Sequence, residues 1–388
     1  MSYGITQVYN YSDIANAIRS KAGTTELYEP SKMGSAIRNI PSGGGSDENF
    51  LIGIGAMRGS IYDTEISTTL PHCFLHNSNL TGVEMTNVSI IAVNAFEKCG
   101  SLSIVSFPKC EIISTRAFDT CSNLSEVTFP NCTSIGTFAF YQCSDLLQAS
   151  FPKCLIIENS AFHFCSSLTY IYFPECISIG ASAFCNNTRL TTISFPECVT
   201  IGSSAFYSCM RLPYASFPKC TTIYGGAFGL CYSISKADFP ECTNIGIPFV
   251  KNSALEEISF PKLKIIGGAA FDGCSKLKSV YLPECVSVPY YCFRSNYALS
   301  MVSLPACQLI SQRAFEECFN LLSLYLLGST VVTLQNANAF SSTPIGGYTA
   351  STGGVQGFVY VPESLAYDYK VANNWSNISS HILPYLGQ

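Results

Sequence analysis

The chain has 388 residues, of which 47% are hydrophobic and only 12% carry a charge, and its formal net charge is −5. This composition supplies enough apolar side chains for a large core, and it excludes the basic surface with which DNA- and RNA-binding proteins attract phosphates. No apolar run reaches the roughly 18 residues that a membrane-spanning helix needs, so we expect no membrane insertion.

The first segment, residues 1–41, is predicted to form a small helical attachment module. Ser12 is suited to cap the first of two short amphipathic helices, and Pro30 is suited to open the second. Helices this short bury little surface by themselves, so we expect their apolar faces to attach the chain to a partner, and a homo-oligomer formed through them stays an open alternative. The residues expected on these faces are Ile14, Ile18, Met33 and Ile37.

Two short segments follow the attachment module. Residues 42–48 are rich in Gly and Ser and predict a flexible linker. Residues 49–72 contain the apolar run Phe50–Ile54 and are predicted to form an N-terminal cap, because the first unit of a repeat array needs a cover for its core.

Residues 73–340 repeat one phrase about every 22 residues. Its clearest copy is Leu168–Phe184, LTYIYFPECISIGASAF, and it contains two columns that keep the same register. One column is the Phe or Leu of a Phe-Pro or Leu-Pro pair. The other is a Phe that usually follows Ala, at Phe74, Phe96, Phe118, Phe140, Phe162, Phe184, Phe206, Phe228, Phe249, Phe271, Phe293, Phe315 and Phe340. Self-similarity at a short fixed period indicates stacked supersecondary units.

The spacing within the phrase predicts one strand, one turn and one short return segment in each unit. Alternation along the strand puts Ile171 and Phe173 on the buried face, and Tyr170 and Tyr172 on the exposed face. A proline cannot donate to a strand ladder, so Pro174 is expected to end the strand.

After the strand, Gly180 is expected to permit a tight turn, and Ala183 and Phe184 to begin a short helical or 3-10 segment. The sequence therefore predicts an α/β repeat fold, a right-handed leucine-rich-repeat solenoid of about 12 coils of 22 residues. A parallel β-sheet would form one face of this solenoid, and short helical or 3-10 turns the other.

Most of the twenty cysteines fall into two columns. Those of the Pro-Cys column stand two residues after the Pro, and those of the Phe-Cys column three residues after the Phe. Val88 and Leu263 replace Cys in the first column, and Asn in the second, at Asn77, Asn187, Asn252 and Asn296. A disulfide partner would not be exchanged in this way, so we predict buried free thiols and folding in a reducing compartment.

Disulfides and a metal site are the alternatives for the cysteines. No Cys-x-x-Cys pair occurs, and the four His residues join neither column as a ligand set, so we predict no metal and no cofactor. Motifs of hydrolases, metalloproteases, nucleotide-binding loops and calcium loops are also absent from the sequence. The chain is therefore expected not to be an enzyme.

The outward positions of the predicted strands vary from unit to unit and are rich in Tyr, Ser and Thr. Tyrosine provides contact area at a low cost in side-chain entropy, which suits a recognition surface. The alternative is ordinary cross-strand aromatic pairing on an open sheet. We expect Tyr170, Tyr172 and Tyr214 to lie within two or three coils of each other, and the full set of candidate ligand contacts is Gln148, Tyr170, Tyr172, Thr192 and Tyr214.

The residue after the Pro changes sign along the array, as in Glu197, Lys219, Glu241 and Lys262. Because equivalent residues of adjacent parallel strands are neighbours, part of this column is predicted to form an ion ladder. A charged binding stripe is one interpretation of the ladder, and register and solubility are the other.

Residues 341–388 are predicted to form a C-terminal cap. They contain a last strand at Phe358–Val361 and a short helix that Ser364 could cap. Trp375, the only tryptophan, is expected to cover the open end of the stack.

The phrase IG-x-x-AF-x-x-C-x-x-L, with FP-x-C before it, resembles the BspA-like leucine-rich repeats of bacteria, bacteriophages and some protists. This resemblance covers residues 70–388. The front piece, DIANAIRSKAGTTELYEPSKMGSAIRNIPSGGG, resembles the N-terminal module of tail-associated proteins from phages and prophages of gut Firmicutes. The family carries no catalytic residues that could be transferred to this chain, and its ligand-contacting positions are not fixed.

These resemblances imply a non-enzymatic binding or adhesion protein. The N-terminal residues MSYGITQVYNYSDIANAIRS show neither the basic nor the apolar region of a secretory signal, so we expect a virion protein of a phage tail that folds in the host cytoplasm. Its partners would be a bacterial surface receptor, either a glycan or a protein, or other tail proteins. The alternatives are a bacterial BspA-like adhesin at the cell surface and a decoration protein that binds only virion components.

Overall fold

The computed structural model describes residues 8–9, 59–63, 69 and 71–387. The predicted attachment faces with Ile14, Ile18, Met33 and Ile37, the linker 42–48 and most of the cap 49–72 lie outside the described residues.

The described residues form a parallel β-solenoid of about 14 coils, which confirms the predicted repeat fold. The count exceeds the expected 12 because strands outside the Phe column, such as Gly59–Asp63 and Ile382–Tyr385, add coils at the ends. The chain divides after Phe195 into two compact units. Within each unit, backbone hydrogen bonds join neighbouring coils along three ladders.

The first of these, the long-strand ladder, contains the predicted repeat strands and the predicted strand at Phe358–Val361. It also contains Val8–Tyr9 and Ile382–Tyr385, which the sequence did not predict. Neighbouring strands are parallel and in register, as where Ile171 pairs with Ala149. In the first unit the strands are Val8–Tyr9, Gly59–Asp63, Leu80–Met85, Ile104–Ser106, Glu126–Thr128, Gln148–Ser150 and Tyr170–Tyr172. In the second unit they are Tyr214–Ser216, Lys236–Asp238, Glu257–Ser259, Ser279–Tyr281, Met301–Ser303, Ser323–Tyr325, Phe358–Pro362 and Ile382–Tyr385.

The short-strand ladder consists of two-residue strands that the sequence did not predict. Each follows the Pro-Cys position and buries its second residue, such as Ile157 beside Ile135 and Ile179. In the first unit they are Ile90–Ile91, Ile112–Ile113, Ser134–Ile135, Ile156–Ile157 and Ser178–Ile179. In the second they are Thr200–Ile201, Thr222–Ile223, Asn244–Ile245, Ile265–Ile266, Ser287–Val288, Leu309–Ile310 and Thr333–Leu334.

The turn ladder replaces the short helical or 3-10 segment that was expected in each repeat. In most coils, two residues have left-handed backbone angles. They stand two positions before and two positions after the Phe that usually follows Ala, as Arg116 at φ 55° and Thr120 at φ 59° do around Phe118. A right-handed helix cannot continue through such residues. The N–H groups of Arg116, Phe118 and Thr120 donate instead to the next coil, at 3.0, 2.7 and 2.7 Å.

The core is built from two files of stacked phenylalanine rings. In the first unit, ring centroids of Phe74, Phe96, Phe118, Phe140, Phe162 and Phe184 follow one another at 5.0–5.3 Å, with planes within 10°. The Phe-Pro residues form a parallel file, and rings of the two files meet nearly edge to face, as for Phe140 and Phe151 at 67°. Stacked and edge-to-face contacts are both favourable aromatic geometries.

All twenty cysteines are free thiols, and all except Cys73 are buried, as predicted. Gly180 has a different role from the one expected, because its φ is not left-handed. A Cβ on Gly180 would lie only 2.6 Å from the carbonyl carbon of Glu158 in the preceding coil. Close approach of two backbones, and not turn conformation, therefore requires glycine at this position.

The second unit ends in a helical segment that packs on its last rings. It contains 3-10 helices at Ala337–Phe340, Ala350–Thr352, Glu363–Leu365 and Trp375–His381 and one α-helix, α1, at Ala366–Val371. The buried Trp375 ring lies 6.0 Å from Phe340 and 5.3 Å from Tyr369, and its Nε1 donates to the Val332 carbonyl at 2.7 Å. Trp375 thus covers the end of the Phe file.

Candidate binding surface

The outward side chains of the long-strand ladder form an open surface, here called the strand face. Strand alternation produces it, since Ile171 and Phe173 are fully buried while Tyr172 is 36% exposed and Tyr170 partly exposed. This distribution confirms the predicted facing of the strand.

Four of the five predicted contact residues come together on the strand face of the first unit. Tyr170 pairs in register with Gln148 on one side and with Thr192 on the other. Tyr172 stands two residues along the same strand, beside Ser150. Gln148 and Thr192 are exposed, so the four side chains make a continuous polar and aromatic patch.

Tyr214, the fifth predicted contact, belongs to the strand face of the second unit. It is 60% exposed and pairs in register with Lys236, whose Nζ lies 3.5 Å from Glu257. Its neighbours are therefore charged, unlike those of Tyr170. That Tyr214 shares a patch with Tyr170 and Tyr172 stays a prediction.

A second group of tyrosines lies together on the strand face, and the sequence did not predict it. Tyr325 and Tyr360 stack at 4.9 Å, and Tyr385 meets Tyr325 edge-on at 5.9 Å. The residues that separate Tyr325 from Tyr360 interrupt the period, so the repeat pattern does not show that they occupy adjacent strands. Tyr281 is 63% exposed on the same face.

The predicted ion ladder is present in parts. Lys219 contacts Glu197, and Lys262 contacts Glu241 at 2.6 Å, in both cases between adjacent coils. In the first unit Lys153 bonds the Asn131 side chain at 2.8 Å instead of a carboxylate. Exposed pairs of this kind contribute about 0–1 kcal/mol each, which suits register and solubility.

Three of the buried thiols are poor nucleophiles at neutral pH. Burial raises the pKa of Cys110, Cys132 and Cys176 to about 12, so they are protonated at neutral pH. Between residues 71 and 387, and in the short described stretches before them, no group of three or more His, Cys, Asp or Glu side chains could hold a metal ion. No helix in the described part of the chain is long and apolar enough to span a membrane.

The signature of the BspA type leucine rich repeat region, present in six copies, matches residues 64–178, 155–263 and 243–352. The chain belongs to the BspA-type leucine-rich-repeat family. Repeat solenoids of this family are typically binding scaffolds of the adhesion type and not enzymes. A comparison with curated protein sequences finds no match for this BspA-type chain.

Solved structures of leucine-rich repeat proteins from three bacteria are similar to this chain. A leucine-rich repeat protein of Bacteroides ovatus is 20% identical over 70% of this chain and 87% of its own, with a TM-score of 0.40. One of Eubacterium ventriosum is 18% identical over 79% and 86%, with a TM-score of 0.43. A leucine rich cell surface protein of Faecalibacterium prausnitzii is 20% identical over 83% and 82%, with a TM-score of 0.35.

Proposed function

We propose that this BspA-type chain is a non-enzymatic binding protein of a phage tail, whose strand face recognises the surface of a bacterial cell. The receptor would be a surface glycan or protein. The first 41 residues would attach the chain to the virion through Ile14, Ile18, Met33 and Ile37.

The observation that carries the proposal is the contrast between the two sides of the long strands. Their inward positions are apolar in coil after coil, such as Val127, Ala149 and Ile171, since these side chains pack in the core. The second outward position is Ser in several coils, such as Ser150, but the first outward positions vary along the array and packing in the core does not determine them. In the first unit they include Glu126, Gln148, Tyr170 and Thr192.

The chemistry of the first unit's patch supports recognition of a large, mostly uncharged partner. Tyr170 and Tyr172 offer ring surface with few rotamers to lose, and Gln148, Ser150 and Thr192 offer hydrogen-bonding groups beside them. An extended sheet face of this type binds by many small contacts, which is how concave repeat surfaces act.

The tail setting is supported by the resemblance of residues 13–45 to the front module of phage tail-associated proteins. A bacterial BspA-like adhesin is the second candidate, and the family assignment of residues 64–352 favours it equally. Immunogold electron microscopy distinguishes the two settings. Label on phage tails supports the first, and label confined to the bacterial cell wall supports the second.

Binding is tested with the full chain, fluorescently labelled, on a panel of gut Firmicutes measured by flow cytometry. We expect saturable binding to at least one strain. The double variant Tyr170→Ser/Tyr172→Ser, whose second change copies the paired Ser150, should reduce affinity at least tenfold.

The matched control is Ile156→Ser on the short-strand ladder, where the flanking coils carry Ser134 and Ser178. This exposed position lies off the strand face, so its substitution should leave binding within twofold of the wild type. Equal losses in the control and in the double variant, or no binding to any strain, would reject the strand face as the receptor site.

A further inference from the structure

The turn ladder of the first unit carries an aromatic cluster at backbone positions that disfavour aromatic residues. The left-handed positions two residues before and after the core Phe are held mostly by small or polar residues, such as Ser160 and Asn186. Phe138 at φ 57° and Phe164 at φ 62° are exceptions. A bulky residue in this conformation is an outlier, and such outliers concentrate at ligand-binding sites.

The Phe164 ring is held in place by neighbouring rings while it stays partly exposed. One face of its ring is covered by His163, whose centroid lies 4.4 Å away with planes 20° apart. Tyr141 meets Phe164 nearly edge-on at 6.2 Å. Although it is packed in this way, the side chain remains 42% exposed. The ring is therefore held by two neighbouring rings and remains accessible to solvent.

Phe138 extends the cluster into the preceding coil. Its ring meets Tyr141 at 5.4 Å with planes 89° apart, and the Arg116 guanidinium lies 4.7 Å from its centroid. Arg116 is neutralised by Asp119, at 2.6 Å. Partial burial lowers the pKa of His163, so this ring is uncharged at neutral pH. The cluster as a whole carries no net charge.

Amide side chains border the rings. Asn186 Nδ2 lies 3.2 Å from His163 Nε2, which fixes the imidazole against Phe164. Gln142 is exposed and its Nε2 is 3.4 Å from the Tyr141 hydroxyl. A supported ring face beside neutral amide and hydroxyl groups fits a ligand that is flat and apolar on one side and rich in hydroxyls at its edge.

We infer that this cluster, formed by Phe138, Tyr141, Gln142, His163, Phe164 and Asn186, is a binding site for a neutral pyranose sugar. The C–H face of the sugar packs on Phe164, and its hydroxyls bond to the surrounding amides. The site lies on the turn ladder and not on the strand face, so it stands independently of the proposed receptor surface.

Packing between coils does not account for the rings. The same position holds Asn186 in the next coil of the first unit, and it holds Ser208 and Leu230 in the second unit. All of these coils keep the same turn ladder, so the fold has no need of an aromatic residue at position 164.

The test is saturation-transfer NMR of the full chain with maltotriose, cellotriose, chitotriose and mannotriose. We expect transfer to the ring C–H protons of at least one trisaccharide. Phe164→Asn, which copies Asn186, should lower that affinity at least tenfold. The melting temperature should stay within a few degrees, because relief of the left-handed strain offsets the lost ring contacts.

Two variants serve as controls. Leu230→Asn relieves the same type of backbone strain without removing a ring, and Ile156→Ser alters an exposed position on the short-strand ladder of the first unit. Both should keep sugar binding within twofold of the wild type. Absence of transfer to all four trisaccharides, or unchanged binding by Phe164→Asn, would overturn the inference. If the wild-type chain binds a trisaccharide but no bacterial strain, that result counts only against the strand face.

Discussion

At the scale of single residues, the two cysteine columns look equivalent in sequence but act differently. In the Phe-Cys column, Sγ of Cys143 donates to the Phe118 carbonyl of the preceding coil at 3.2 Å. Asn187 donates to the corresponding Phe162 carbonyl at 3.0 Å. The sequence predicted burial for this column but not a donor role. The signal was present, because Asn replaces Cys here whereas Val88 and Leu263 replace it in the Pro-Cys column.

This difference predicts that Asn is better tolerated than Val in the Phe-Cys column, and that Val is better tolerated than Asn in the Pro-Cys column. Cys143→Val removes a donor from a buried carbonyl and should cost about 1 kcal/mol, while Cys143→Asn should cost less. Cys132, in the Pro-Cys column, donates within its own coil to the Ser134 carbonyl at 3.3 Å, but Val88 and Leu263 fill the same column without a donor. Cys132→Val should therefore cost little, whereas Cys132→Asn, with a larger buried amide, should cost about 1–3 kcal/mol. Urea denaturation followed by circular dichroism measures the stability of all four variants. If Val were more stable than Asn at both sites, or Asn more stable than Val at both, the different roles of the two columns would be contradicted.

At the scale of elements, the long strands could be predicted, whereas the short strands and the return segments could not. Alternation around Ile171 and Phe173 determines the strand because one side is buried. The turn ladder depends on left-handed angles at residues such as Arg116 and Thr120, whose side chains do not favour that conformation. Cross-coil hydrogen bonds hold these residues in place, and such bonds have no signature within a single repeat. The grouping of Gln148 with Tyr170 was accessible from the sequence because it follows from strand register alone.

The C-terminal helical segment provides a test at this scale. Trp375→Phe keeps a ring against Phe340 but loses the Nε1–H donor to Val332, so we expect a loss of about 1 kcal/mol. Trp375→Ala opens a cavity at the end of the ring file and should cost about 3–5 kcal/mol. Thermal unfolding followed by circular dichroism measures both variants.

The control for this pair is Tyr367→Ala on α1, where the side chain is 74% exposed and its removal should change little. If Trp375→Ala were as stable as this control, the indole would not be holding the end of the array.

At the scale of the whole molecule, stability depends on keeping many thiols protonated together. Burial raises the pKa of Cys99, Cys110, Cys132, Cys176 and Cys307 to about 12 from an ordinary value near 9. The unfolded chain therefore loses these protons at a lower pH than the folded chain. Their contribution to stability is complete below pH 9 and is lost as the pH rises from 9 toward 12.

We therefore expect the melting temperature to be level up to about pH 8 and to fall steeply above pH 9. Each thiol disfavours folding by about 1.4 kcal/mol at one pH unit above its unfolded pKa, and the effects add over the array. Differential scanning fluorimetry under reducing conditions measures the curve. Cys132→Val, with one thiol fewer, should lose stability less steeply between pH 9 and 12, and a melting temperature that held to pH 12 would contradict protonated burial.

The in-register ladders have a consequence for the gene as well as for the protein. Every coil offers the same backbone donors and acceptors to the coil before it and to the coil after it. A whole coil can therefore be gained or lost within a unit without leaving backbone groups unpaired. A crossover between two gene copies offset by one repeat would lengthen one product by 22 residues and shorten the other by as many. Both products would form all the hydrogen bonds between coils, so recombination can change the length of the array by one coil at a time.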